Sequence, residues 1–353
     1  MTDKANRRER KAIPSKILSL SRTPNKIGTF LQWMAPAIVG LLLLCSMIET
    51  EANNDNANEC TLEDGCKNPE YNEEEALEHL LYSKAAFCSE QAITSWSCGA
   101  MCDRAPTDKV RYIPEGPVAK VQGYVAQIPV EIPDGSTKCI VSFRGSLNFS
   151  NWMADLDFRL RDWPLGELKN AEWCKGCRAH KGFSDAYDEL RDDVHEAIRE
   201  LGCTRLVLAG HSLGAAVATI ASFDLRSAMG YQVEATWAFG LPRVGNREFV
   251  ESFEAAAASE GVSPPIWRVV HFHDPVPRLP PTWPFGVAHG GLEVYYTDRA
   301  SSNYLVCPQD GKRENVSKEC MGGVPPWQLL NTDHVDYLNE TFAFKDFPDE
   351  CKA

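Results

Sequence analysis

The chain has 353 residues, 44% of them hydrophobic and 24% charged, a make-up that excludes a disordered or fibrous protein. The formal net charge is −13, yet residues 1–26 hold eight Lys/Arg against Asp3 and Glu9, so everything after them is more acidic than the whole. A body of that charge does not suit a nucleic-acid partner.

Residues 1–26 read as a basic cytosolic arm. Residues 27–48 carry no charge and include Leu41, Leu42, Leu43 and Leu44 in succession, long enough for a transmembrane or signal segment. The basic flank before this run and Glu49, Glu51, Asp55 and Glu59 after it place the N-terminus inside and the bulk outside. A single-pass type II anchor fits, and so does a signal cleaved near Ala52 or Ala57; the length of the basic arm favours the anchor. Residues 49–70 are acidic and Asn-rich without apolar periodicity, a flexible stalk.

Of 13 cysteines, all but Cys45 lie outside the apolar run, several in close pairs, which suits an oxidising compartment. Cys60 with Cys66, Cys98 with Cys102, and Cys174 with Cys177 are local disulfide candidates. Cys174-Lys175-Gly176-Cys177 lacks a second CxxC or HxxxH partner at zinc-finger spacing, so no metal is expected there. Cys139 and Cys203 stand in or beside apolar strand-like runs and read as buried thiols. Sequons at Asn148, Asn315 and Asn339 are compatible with secretory passage.

A folded domain is expected over 71–353. Leu77, Leu80, Leu81 and Phe87 give a first helix within 74–88. Strands follow at 118–128 and 139–143, separated by Pro133-Asp134-Gly135. Phe183, Tyr187, Leu190, Val194, Ile198 and Leu201 recur at three and four residues, and Gly202 stops that helix. A strand at 205–209, a helix at 215–229, a strand at 233–239, a helix at 248–259 and a strand at 266–272 complete an α/β alternation. This demands a mostly parallel central sheet with helices on both faces.

The strongest chemical signal lies in that alternation. Leu206-Val207-Leu208-Ala209-Gly210-His211-Ser212-Leu213-Gly214-Ala215-Ala216 is an apolar strand running through G-x-S-x-G into a small-residue helix. A nucleophilic serine needs such a strand-to-helix turn, and only small residues at Gly210 and Gly214 let the backbone bend that tightly. A serine hydroxyl also needs a base and an acid that orients it, here in the order Ser, Asp/Glu, His. Asp274 follows a strand and precedes Pro275, Pro277 and Pro280, which Asp310 and Glu293 do not. His289 and His334 are the histidines after Asp274, and His334, in the final segment, is the better base. The oxyanion of a tetrahedral intermediate needs fixed donors, for which the Leu213 N–H and the Ser146 corner of Ile140-Val141-Ser142-Phe143-Arg144-Gly145-Ser146 are placed.

Phe143-Arg144-Gly145-Ser146, Asn151-Trp152-Met153-Ala154-Asp155-Leu156, Gly210-His211-Ser212-Leu213-Gly214 and Asp274-Pro275-Val276-Pro277-Arg278-Leu279-Pro280-Pro281 together resemble the filamentous-fungal (class 3) triacylglycerol lipases. The resemblance runs from about Cys88 to the C-terminus. It implies an α/β-hydrolase fold, a Ser212, Asp274, His334 triad, Ser146 and Leu213 as oxyanion donors, and a Cys88–Cys351 disulfide. The departures from the family pattern are the membrane run, the stalk, and Cys307 and Cys320, which are candidates to pair with each other.

In such a family the segment after Ser146 is a lid. Phe149, Trp152, Met153 and Leu156 share one helical face there, suited to covering the site in water and lying on lipid when open. A glycan on Asn148 would restrict that opening. The expected reaction is hydrolysis of tri- or diacylglycerols at an interface, with no cofactor. A feruloyl-type carbohydrate esterase or a phospholipase/lysophospholipase can use the same fold. A noncatalytic tethered binding module is expected to have lost one of Ser212, Asp274 or His334, and all three are present.

Overall fold

The computed structural model describes residues 70–146, 157–168, 171–307 and 318–352. The basic arm, the 27–48 run, the stalk with Cys60 and Cys66, the Phe149–Leu156 face, Asn148, Asp310 and Asn315 lie outside the described residues. Among the described residues no helix is long and apolar enough to cross a membrane.

Eight strands form the main sheet and lie side by side in chain order: β1 (Val110–Ile113), β2 (Gly123–Gln127), β3 (Lys138–Phe143), β4 (Arg205–His211), β5 (Gln232–Phe239), β6 (Ile266–His271), β7 (Leu292–Tyr296) and β8 (Tyr304–Val306). β3 to β7 are parallel, while β1, β2 and β8 run antiparallel to their neighbours. The expected strands are present with ends shifted by a few residues. The 118–128 stretch yields only β2, because 117–119 form a turn. β1, β7 and β8 were not read as strands from the sequence. Nor was a second small sheet built from Leu160–Asp162, Arg178–His180, Gly245–Asn246 and Val287–Ala288, whose pieces are too short to show a period.

Residues along β4 alternate between two cores, as a doubly covered strand must. Leu206 and Leu208 face one core with helices α2 (Lys181–Glu200), α3 (Leu213–Ser227) and α4 (Arg247–Ser259). Val207 and Ala209 face the other with helix α1 (Glu73–Ala85). That first helix begins where Asn72 Oδ1 accepts the N–H groups of Glu74 and Glu75 at 3.0 and 3.1 Å. Three glutamates then stand at its positive end and Lys84 near its negative end.

Five disulfides join described residues. Cys88–Cys351, Cys98–Cys102, Cys174–Cys177 and Cys307–Cys320 pair as the sequence suggested. Cys139 and Cys203 are a correction: they are not buried thiols but a disulfide. Cys139 opposes Leu206 in the parallel β3/β4 pair, which brings Cys203, three residues earlier, to its side. A contact made by parallel strands 64 residues apart leaves no local trace.

Candidate active site

The parallel register aligns Phe143 with Gly210, Gly210 with Ala238, and Phe239 with Val269, so β3 to β6 end together at one sheet edge. Ligands of α/β sheets bind at such carboxyl ends. Ser212 sits there between β4 and α3, at φ 58° and ψ −125°, a strained conformation for a side chain-bearing residue. The glycines around it have measurable reasons. A Cβ on Gly210 would lie 2.4 Å from the Gly214 carbonyl, and one on Gly214 would lie 2.2 Å from the Phe143 oxygen and 3.0 Å from the Gly145 nitrogen. The nucleophile turn and the end of β3 are therefore in backbone contact. Leu213 is the first residue of α3, whose opening N–H groups have no intrahelical acceptor. Ser146, half-buried, follows Gly145, which touches the turn at the His211 carbonyl.

Arg144 anchors that corner. Its guanidinium donates to Gln122 Oε1 at 2.9 Å, to the Lys120 carbonyl at 2.7 Å and to Glu115 at 2.5 Å. Gln122 in turn donates to the carbonyls of Ala86 and Cys88.

Asp274 follows β6 and is fully buried. Its Oδ1 accepts the Val276 N–H at 2.8 Å, and its Oδ2 accepts His334 Nδ1 at 2.8 Å and the Tyr337 hydroxyl. A carboxylate at Nδ1 fixes the proton on that nitrogen and leaves Nε2 as the basic one. Position 240 ties the three residues together. A Cβ on Gly240 would lie 2.9 Å from His334 Cε1 and 3.0 Å from Asp274 Oδ2, while the neighbouring Phe239 carbonyl accepts the Ser212 N–H at 2.9 Å. The Ser212 hydroxyl is buried and has no hydrogen-bond partner among the described residues.

The other candidates stand elsewhere. His289 Nε2 donates to the Pro277 carbonyl at 2.6 Å, under the proline loop rather than beside Ser212. Glu293 pairs with Arg268 and accepts the Met321 N–H. Glu293, Cys307 and Cys320 lie within metal-ligand distance of each other, but the sulfurs form a disulfide and the carboxylate is already bonded, so the cluster is structural.

Sequence reasoning missed three supporting residues. The Tyr337 hydroxyl bonds Asp274, and burial, with that carboxylate next, pushes its ionisation well above the ordinary phenol range, so it stays a donor. His211 Nε2 donates to the His334 carbonyl at 2.7 Å, with its ring stacked 3.9 Å from Phe342. Burial, then the neighbouring His334, holds His211 far below the usual imidazole range and so neutral. His271 Nδ1 donates to the Asp333 carbonyl at 2.9 Å. His211 stood in the G-x-S-x-G motif and Tyr337 three residues after His334, but nothing in the sequence tied His211 or His271 to the tail, or Tyr337 to Asp274.

A hydroxyl, an imidazole and a carboxylate gathered at one sheet edge in this chain order is how α/β-hydrolases pass an acyl group through serine, and by class this chain is a serine ester hydrolase. Comparison narrows the class. Residues 140–283 match the family model Lipase (class 3). The chain is 32% identical over 235 residues to a secreted mono- and diacylglycerol lipase A of Penicillium cyclopium, covering 65% of this chain and 69% of that one. It is 31% identical over 275 residues to a secreted mono- and diacylglycerol lipase 1 of Fusarium solani, covering 74% of each. A solved triacylglycerol lipase, described as having a serine protease triad at its catalytic centre, superposes with a TM-score of 0.61 at 27% identity, over 76% of this chain and 95% of that one. The chain belongs to the class 3 lipase family.

Proposed function

We propose that this chain hydrolyses mono-, di- or triacylglycerols, with Ser212 as nucleophile, His334 as general base and then acid, and Asp274 orienting the imidazole. His334 Nε2 takes the Ser212 proton as the hydroxyl attacks the ester carbonyl. The Leu213 N–H and Ser146 stabilise the oxyanion, and the imidazolium returns its proton to the departing alcohol. Water then repeats the cycle on the acyl-enzyme. The observation that carries this is the buried 2.8 Å bond between His334 Nδ1 and Asp274 Oδ2 beside the strained Ser212 turn.

Two further observations favour a lipid over a carbohydrate-bound ester: family membership, and the large exposed side chains on the segments bearing the acid and the base. Trp283 follows the Asp274 loop and is 62% exposed. Trp327, 69% exposed, and Leu330 precede His334. In this reading Phe149, Trp152, Met153 and Leu156 form the apolar face of a lid. The disulfides and the secreted relatives support passage of 71–353 through the secretory pathway. The charge pattern of the sequence is what supports 1–26 as cytosolic, 27–48 as an anchor or signal and 49–70 as a spacer.

Assays on emulsified long-chain acylglycerols, soluble short-chain esters and phospholipids test the substrate. The rate on long-chain acylglycerols is expected to rise once they exceed their solubility. A higher rate on phospholipids, or none on acylglycerols, overturns the substrate class. Ser212→Ala is expected to lower kcat by a factor on the order of 10⁶.

A further inference from the structure

The hairpin that follows His334 carries a feature that the hydrolytic chemistry does not use. Asp336–Tyr337 pairs with Glu340–Thr341, leaving Leu338 and Asn339 as a two-residue turn at φ 50° and 62°. Two left-handed residues in succession make the turn whose twist matches a hairpin, and asparagine tolerates that conformation well. Turn geometry thus accounts for Asn339. It does not account for Thr341, which completes Asn339-Glu340-Thr341, an acceptor sequence for N-linked oligosaccharide.

The fold sorts these residues in a way a bare sequon cannot. Tyr337 and Leu338 are buried, Tyr337 toward Asp274, while Asn339 is exposed at the tip. Glu340 turns to Lys84 at 2.8 Å and Arg104 at 2.7 Å, pinning the second strand to the side of the first helix. The Thr341 hydroxyl accepts the Ala343 N–H at 3.1 Å, a bond serine also makes. Twelve residues beyond the tip, Cys351 closes on Cys88, a bond of the oxidising compartment where such oligosaccharides are attached.

We propose that Asn339 is an N-glycosylation site. Its amide nitrogen attacks the anomeric carbon of an oligosaccharide carried on a lipid diphosphate. The new C–N bond replaces the C–O bond to the diphosphate, which leaves with the lipid, and the nitrogen gives up one proton. The site requires the 71–353 domain to lie in the lumen, so it rests on the secretory part of the functional reading.

The test is a peptide map of the full chain expressed in a glycosylating eukaryotic cell, with enzymatic deglycosylation in heavy-oxygen water. A released glycan leaves a labelled aspartate at its site. Position 339 is expected to carry the label in the parent chain and in Thr341→Ser. The label at position 339, and the share of the electrophoretic shift that one glycan contributes, are expected to vanish in Thr341→Ala and in Asn339→Gly, the latter keeping the turn conformation. Hydrolytic rate is expected to be unchanged in Asn339→Gly. Unlabelled Asn339 overturns the proposal, and the cysteines tell the two failures apart. With Cys88–Cys351 formed, the glycan alone is lost; with reduced cysteines, the secretory reading falls with it.

Discussion

The nucleophile turn and the tail that bears the base solve the same problem of precision by opposite means. Around Ser212 the work is done by backbone: a seven-residue strand, two glycines and a helix start fix the hydroxyl, Gly210 against Gly214 within the turn and Gly214 against the end of β3, with no room for a Cβ at either. The segment reaching His334 is almost devoid of regular structure, a 3₁₀ turn at Asn331–His334 followed by a two-residue hairpin. It is held by groups from the sheet edge: His271 to the Asp333 carbonyl, His211 to the His334 carbonyl, and the His273 carbonyl to the Leu330 N–H. One region is rigid because backbone packs on backbone with no space for a side chain. The other is rigid because buried donors elsewhere would be left unpaired if it moved.

The largest effect is expected where backbone meets backbone. In Gly214→Ala the added carbon would press on the Phe143 oxygen from 2.2 Å and on the Gly145 nitrogen. A shift of the oxyanion corner by about 1 Å lowers kcat/KM by roughly 10²-fold or more, with a stability loss of about 1–3 kcal/mol. An alanine variant with parental rate and Tm would mean that the turn is not closed in this way.

Acid probes the first helix, the small sheet and the main sheet, each of which buries an imidazole. Burial lowers His79 and His180 to about 4 from 6.5. Below pH 6.5 the unfolded chain therefore binds protons that the folded chain refuses. The stability present above that pH is lost between 6.5 and 4, by up to about 3 kcal/mol for a fully buried imidazole such as His79. His211 shifts in the same direction. Denaturant midpoints that stay flat from pH 7 to pH 4 would remove this account of the buried histidines.

Smaller effects separate the clamps. His211→Phe keeps a ring against Phe342 but leaves the His334 carbonyl without its donor. It is expected to cost about 1–3 kcal/mol, read as a roughly tenfold or greater fall in kcat with KM nearly constant. Tyr337→Phe removes one of the hydrogen bonds to Asp274 while His334 keeps its own, and the expected loss in kcat is about tenfold or less. A rise in KM alone in either variant would show that the side chain acts on substrate binding rather than on the imidazole.

The chain order of strand, elbow, acid and base was legible because each is a local event. Gly210 and Gly214 frame Ser212 within five residues, Asp274 follows a β-rich run, and α2 announces itself by Phe183, Tyr187, Leu190, Val194 and Ile198. β1, β8 and the small sheet were not legible, since edge strands and pieces of two or three residues are defined by their neighbours; β7 lies inside the sheet and is buried throughout, but Glu293 interrupts the apolar run that would mark a covered strand. Cys139 and Cys203 failed for the same reason: each looked like a core thiol in its own run, and only the β3/β4 pairing made them partners.

The amino-acid sequence alone determined the α/β alternation, the strained serine and the order of the groups that follow it, because periodicity and small residues act over a few positions. Tertiary structure alone decided that His211 and His271 bond the backbone at Asp333 and His334, and that Tyr337 bonds Asp274. Hydrogen bonds between groups 62, 63 and 123 residues apart exist only once the sheet has brought its strand ends to one edge.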